Sequence, residues 1–466
     1  MPGGVMQLVA VGQQDQYLTG SPTMSYWRTV TRRHTNFAME SVRQTFLNRP
    51  FLDTTGGQTF TCRIGRVADL LSSATLVYQL PNIYSDNTLR FRWIKNLAHH
   101  MIRSYSIRMD TQLIDQGYGD WMDVWTELSL PPGKRYAYER MTGQTEEFIT
   151  PKALEEKIII ENNVVTYVQY PAATSPSEPS IRGRDFFLPL PFWFSRSSSL
   201  ALPLIALQYQ NVDISIEFRS IEELYQVYDE QADEYVSPGL YRARYASDPA
   251  RPDVSIAAFT QFGGGGPSIV DLAAYLECNY VFLDTEERST VATTPLDYLV
   301  ERVYRNETGG IAGSYTVDLQ LNNPVKELIW YMRRSDAYAF NEWANYTSTY
   351  PATDAHPIMA TAKLIWNGMD RLEEKPGSFF NMLQPYEYHT NTPRQGIYTY
   401  SFGLFPEKNQ PSGAFNASKI NKIQQYVTVN PKVQTNRDYT YDLVTFSLYY
   451  NIFRVIGGSG GMVFAN

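Results

Sequence analysis

At 466 residues the chain is too long for one ordinary hydrophobic core, so two domains are expected. Hydrophobic residues make up 43% and charged residues 19%, which excludes a disordered chain, and 14% aromatics tilt the balance toward sheet. The net charge of −8 argues against a protein that wraps nucleic acid, because phosphate neutralisation needs a basic stripe.

From the N-terminus, residues 1–25 form an arm with no clear strand. Met1–Gly12 lacks a positive start and its apolar run is broken by Gln7, so no secretory signal is expected. Such an arm either frays or docks on a neighbour, and docking is the preferred reading. Arg32-Arg33-His34 is the one compact basic run. It either clamps carboxylates of a neighbouring chain or is a charged turn without a partner. Phe60, Cys62 and Ile64 alternate with Thr61 and Arg63, the period of a strand with one face on a core. Cys62 and Cys278 are expected in different domains, as buried thiols in a reducing compartment.

His99-His100 with Asp110 and Asp115 is the one group resembling a metal or hydrolytic cluster. Adjacent residues of a strand point to opposite faces, so a structural role is favoured and no metal or cofactor is expected. Pro131–Glu147 and Ala172–Arg184 read as loops, and Pro151–Glu156 as a helical turn. Lys157–Glu161 and Val164–Gln169 flank Asn162-Asn163 as a hairpin. The longest apolar stretch, Leu200–Leu207, is too short to span a membrane and contains Pro203. Val212, Ile214, Ile216 and Phe218 alternate cleanly.

The clearest break is 226–270, rich in Asp, Pro and Gly, read as a linker or inserted loop between a first domain (26–225) and a second (271–466). Gly263–Gly266 lacks the Lys-Ser/Thr of a phosphate loop. Pro267–Leu276 is expected as a short helix. Beyond it, Tyr315, Val317, Leu319 and Leu321 alternate, Asn367-Gly368 marks a two-residue hairpin, and Gln410-Pro411-Ser412-Gly413 reads as a type I turn. Val444, Phe446 and Leu448 alternate near the end. Glu286-Glu287 and Glu373-Glu374 are neighbouring carboxylates on one element each, unlike a glycosidase acid and base that face one another. Asn306, Asn345 and Asn416 head glycosylation triplets that, without export, only a virus-encoded machinery would meet. Many strands with few short helices give an all-β protein of antiparallel sandwiches or jelly rolls.

Several segments carry a family likeness. Gly3–Ala10, Gln14–Gly20 and Arg32–Glu40, including Asn36 and Phe37, resemble the start of major capsid proteins of nucleocytoplasmic large DNA viruses. Leu202–Tyr209 is similar to the close of that family's first jelly roll. Gly396–Phe402 with Pro406 and Gln410–Gly413 resembles its most recognisable signature. Tyr449-Tyr450-Asn451, Arg454 and the Gly457–Gly461 tail resemble its C-terminus. These segments run in the family's order along the whole chain. In length and detail the chain looks more like the marseillevirus or iridovirus type than the algal-virus type.

The resemblance implies two consecutive eight-stranded antiparallel jelly rolls. It also implies a homotrimer forming a pseudo-hexagonal capsomer, and contacts with neighbouring capsomers and with minor capsid and penton proteins. The internal membrane is met only indirectly. The protein would be made in the host cytoplasm or a viral factory and end in the virion. It implies a structural protein rather than an enzyme. A jelly-roll carbohydrate-binding surface module is the alternative, since fold does not fix function, and a sandwich glycosidase is the third reading.

Overall fold

The computed structural model describes residues 3–27, 29, 31–85, 89–145, 149, 156–161, 164–169, 179–434 and 437–464. The chain forms two compact units, Met1–Phe37 and Ala38–Asn466. The first carries helices α1 (Gly3–Val9) and α2 (Gln13–Thr19), neither with a buried residue. The Asp15 carboxylate accepts the Gly12 N–H at 2.8 Å and caps α2.

After these helices, eight strands come first: β1 (Phe37–Thr45), β2 (Thr59–Arg63), β3 (Leu70–Gln79), β4 (Ile102–Met109), β5 (Gln112–Tyr118), β6 (Asp185–Pro189), β7 (Val212–Phe218) and β8 (Tyr275–Leu283). They make one sheet in the order β1-β8-β3-β6 and a second in the order β2-β7-β4-β5. Eight more follow: β9 (Leu296–Ile311), β10 (Ser314–Asp318), β11 (Pro324–Arg334), β12 (Met359–Trp366), β13 (Met369–Pro376), β14 (Ile397–Ser401), β15 (Ile423–Val429) and β16 (Tyr441–Ile456). Their sheets run β9-β16-β11-β14 and β10-β15-β12-β13, the first pattern with eight added to every strand. The chain is therefore two consecutive jelly rolls.

The alternation of β7 is realised as written: Val212, Ile214, Ile216 and Phe218 are buried and the residues between them are half-buried. At the β12–β13 hairpin, Trp366 opposes Met369, and Asn367 and Gly368 have φ of 49° and 83°. Both central residues take positive φ, as a type I′ turn requires. The shorter pattern from Tyr315 holds in part. Val317, Leu319 and Leu321 are buried, but Tyr315 is exposed and the strand stops at Asp318.

Other expectations are corrected. The segment 226–270 is a packed excursion between β7 and β8: Val227, Val236, Val254, Ile256 and Phe259 are buried, and Tyr225–Asp229 pairs with Phe91–Trp93. Where a helix was expected at Pro267–Leu276, Val270–Asp271 pairs with Phe51–Leu52, and β8 then pairs with β3. The first roll thus runs on past the expected start of the second at 271. Asp-, Pro- and Gly-rich composition marks irregular backbone but not whether that backbone is buried.

Cys62 on β2 and Cys278 on β8 accordingly share one core, and burial pushes both thiols up to about 12. In 131–147, expected as a loop, helix α5 (Pro132–Thr142) starts with proline in its first turn and ends on Gly143 at φ 80°. The turn expected at Pro151–Glu156 lies outside the described residues up to 155. Asn162-Asn163 and the loop at 172–178 also lie outside them. The hairpin's strands pair with Glu161 opposite Val164.

Candidate functional site

The two rolls meet along a seam built on helix α4 (Gly119–Ser129). Trp121, Val124, Trp125 and Leu128 recur at the i, i+3, i+4, i+7 spacing of one helical face. They pack on Val444, Phe446 and Leu448 of β16 and on Ile329 and Tyr331 of β11. The opposite parity of those strands, Leu443, Leu328, Trp330 and Met332, faces the core of the second roll. Both faces of β11 and of the first two-thirds of β16 are consequently buried.

The polar face of α4 supplies Asp120, Asp123 and Glu127. A short helix, α3 (Leu97–Met101), lies beside it, and the approach depends on Gly119. A Cβ there would sit 2.1 Å from the Ile102 carbonyl oxygen and 2.3 Å from that of His99. The second roll answers the carboxylates with cations and phenols. Tyr331 donates to Asp120 at 2.8 Å, and Arg305 approaches the same carboxylate at 3.7 Å. Tyr346 donates to Asp123 at 2.9 Å. Arg394 spans Asp123 and Glu127, at 3.0 Å to the latter. From the first roll, Arg219 lies 3.6 Å from Asp120.

His99 and His100 sit in α3 rather than on a strand, so their side chains do not diverge. His100 Nδ1 is 3.4 Å from Asp120 and its Nε2 3.6 Å from Asp123, while His99 Nδ1 is 3.8 Å from Asp123. Burial alone would push the Asp123 carboxyl up, but Arg394, His100 and His99 hold it well below the usual carboxylate range. Burial opposes the charged form of His100, and Asp120 and Asp123 outweigh it and raise its pKa. For His99 burial wins and the pKa is lowered, with Nε2 2.7 Å from the Tyr138 hydroxyl. Asp110 and Asp115 are elsewhere. Asp110 accepts the Asn211 N–H, and Asp115 lies 3.7 Å from Arg302, its carboxyl pushed up by burial to about 6.

A second buried junction joins Lys326 of β11 to Glu301 of β9, with Arg196 of the first roll on the same carboxylate. Burial lowers the Lys326 ammonium to about 8. A third contact is made by the C-terminal turn. Gly458 accepts the Tyr209 N–H at 3.1 Å, and the Gly460 N–H donates to Gln210 at 2.7 Å.

The remaining singled-out residues are dispersed. In the first unit Arg32, Arg33, His34 and Asn36 are exposed, and the His34 and Phe37 rings meet edge to face at 6.0 Å. Arg454 pairs bidentately with Asp297, its cross-strand partner on β9. Asn451 is buried and donates to the Phe464 carbonyl at 3.0 Å. Gln410–Gly413 is not the turn expected. Lys408 N–H to Phe405 carbonyl closes a turn just upstream, and Ser412 lies in the returning limb, where its hydroxyl accepts the Phe405 N–H at 2.8 Å. The proline presets φ but cannot choose between adjacent turns.

Of the three triplet asparagines, Asn345 is buried with its amide committed to Glu342 and Thr349. Asn306 is half-buried on β9 opposite Thr445, and Asn416 is exposed, with its side chain capping Ser418. Glu286 and Glu287 open helix α6 (Thr285–Thr293), whereas Glu373 and Glu374 lie on β13. The seam itself was missed in the sequence, although the Trp121-Val124-Trp125-Leu128 spacing announces α4.

Two consecutive rolls with one strand order, joined by a charge-lined seam, define a double jelly-roll protein. Residues 25–284 match the family described as major capsid protein N-terminus, and 287–461 the large eukaryotic DNA virus major capsid protein. The chain belongs to this family of major capsid proteins and is a component of the virion's capsid, where such proteins assemble with other capsomers. It is 31% identical to the major capsid protein of Phaeocystis pouchetii virus over the full length of both chains. It is 26% identical to that of Tipula iridescent virus, covering 98% of this chain and 96% of that one. Identity to this iridovirus relative is thus no higher than to the relative from Phaeocystis pouchetii virus. A structure titled PBCV-1 virus capsid superposes with a TM-score of 0.68 at 23% identity, over 95% of this chain and 100% of that chain.

Proposed function

We propose that three copies of this chain form one pseudo-hexagonal capsomer of an icosahedral shell. The observation that carries this is the repeated strand order: two alike walls per chain, held at a fixed angle by the seam, give six walls per trimer and tile a flat facet. The rolls divide at α6, between β8 and β9. The exposed arm docks on a neighbouring capsomer or a minor capsid or penton protein, and Arg32, Arg33 and His34 make charged contacts there. Arg454 and Gln410–Gly413 shape surfaces presented to such partners, and buried Asn451 holds the Phe464 carbonyl beside them. The protein acts as a structural subunit, not an enzyme. It takes no cofactor, leaves the genome untouched and meets the internal membrane only through other proteins.

Light scattering on the purified protein at micromolar concentration tests the reading. The expected mass is about 160 kDa, three times the 53.3 kDa chain. A clean monomer would refute the trimer. An image of the assembled particle showing capsomers of three chains would support it.

A further inference from the structure

The segment 389–394 crosses the seam and leads into β14. Asn391 N–H donates to the Leu128 carbonyl at 3.0 Å and Arg394 holds Asp123 and Glu127, so its middle is fixed to α4. The ring of its first residue, His389, is fully buried between two carboxylates. Nε2 faces Glu327 of β11, and Nδ1 lies 3.0 Å from Glu407 in the loop after β14. The Thr390 N–H and hydroxyl also donate to Glu407. From α4, Trp125 sets its ring edge-on at 6.5 Å. The one acid at this end of α4, Glu127, is turned to Arg394 and Arg135. Lys326, next to Glu327 in β11, is engaged by Glu301.

We propose that His389 is a proton-held clasp: its charged ring ties the loop 402–413 to the central sheet of the second roll, and loss of the proton frees that loop. Two carboxylates aimed at one imidazole repel each other once the ring is neutral, and one Glu327 oxygen already has no hydrogen-bond partner among the described residues. Glu327 sits on a strand paired on both sides and cannot yield. Glu407 sits in a loop and can. That loop carries Leu404 and Phe405, 65% and 53% exposed, so its release re-presents an apolar edge of the subunit. Burial opposes the charge on His389, but Glu327 and Glu407 outweigh it and push the ring up to about 9. A ring raised from 6.5 to about 9 stabilises the closed loop fully below 6.5, and that stabilisation is lost as pH rises through 9.

Hydrogen exchange read by mass spectrometry on the full-length oligomer, corrected for intrinsic rates, tests this between pH 6 and 10. Peptides spanning 402–413 should lose protection about tenfold per pH unit between 6.5 and 9 and level off above, with a ceiling of roughly 300-fold. Peptides of β16 should not follow. His389→Gln should show the open loop at pH 7 with no pH slope. Glu407→Gln, which keeps the backbone contacts and removes one carboxylate, should flatten the slope if the first variant does not fold. Protection in the wild-type loop that stays flat from 6.5 to 9 overturns the proposal. So does a loss shared equally by β16, or an unchanged slope in Glu407→Gln.

Discussion

Asp123 is the most informative residue to remove. It is 1% exposed and accepts from Arg394 and the Tyr346 hydroxyl across the seam and from the Asn96 amide beside it, with His100 3.6 Å away. Asp123→Ala takes the acceptor from a buried phenol and an amide and leaves Arg394 with Glu127 alone. Breaking a buried ion pair from one side costs about 3–5 kcal/mol. Asp123→Asn keeps the shape and one acceptor but loses the charge, and should cost about 1.5–3 kcal/mol. Urea unfolding at pH 7, followed by tryptophan emission, reads both values.

The sign of the acid dependence gives a second check. A carboxyl held below its unfolded value of 3.8 stabilises the fold above that pH, and the contribution drains away as pH falls further. The gap between wild type and Asp123→Ala should therefore narrow from pH 5 to pH 3. An Asp123→Ala midpoint equal to wild type at pH 7, or a gap that does not change on acidification, would refute the reasoning.

Three further outcomes are expected. Cys62 and Cys278, with thiols pushed up to about 12 and no exposure, should resist iodoacetamide at pH 8 in the native protein and both react once it is unfolded; labelling of either native thiol counts against the shared core. Gly368→Ala should cost about 1–2 kcal/mol in thermal or urea unfolding, because its φ of 83° is hostile to a Cβ although the space around it is open. Gly458→Ala meets the same backbone penalty and also drives a Cβ to 2.5 Å from the Tyr209 ring. It should cost more than Gly368→Ala, and Tyr209→Ala should recover part of the loss in a double-mutant cycle.

Strand period and turn chemistry made β2, β7 and the β12–β13 hairpin legible because each has one wet face and local punctuation. The division of the chain was not legible, since the Pro- and Gly-rich stretch at 226–270 folds back into the first core and delays β8. Nor were the partners across the seam. Asp123 and Arg394 are 271 residues apart, and nothing local to either names the other. The His99-His100 pair was assigned a strand's geometry, and a single turn of α3 was enough to aim both rings at α4.

The two-sided burial of β11 and β16 has an evolutionary consequence. A strand such as β7 can drift at every second position, because its half-buried residues accept polar replacements. From Tyr441 to Asn451 the only position of β16 that is not buried is Asp442. A deep mutational scan should therefore show a two-residue rhythm of tolerance in β7 and near-uniform intolerance through the middle of β16. The slowest-changing stretch of the subunit would then be its least visible one, enclosed between the rolls and out of reach of the host.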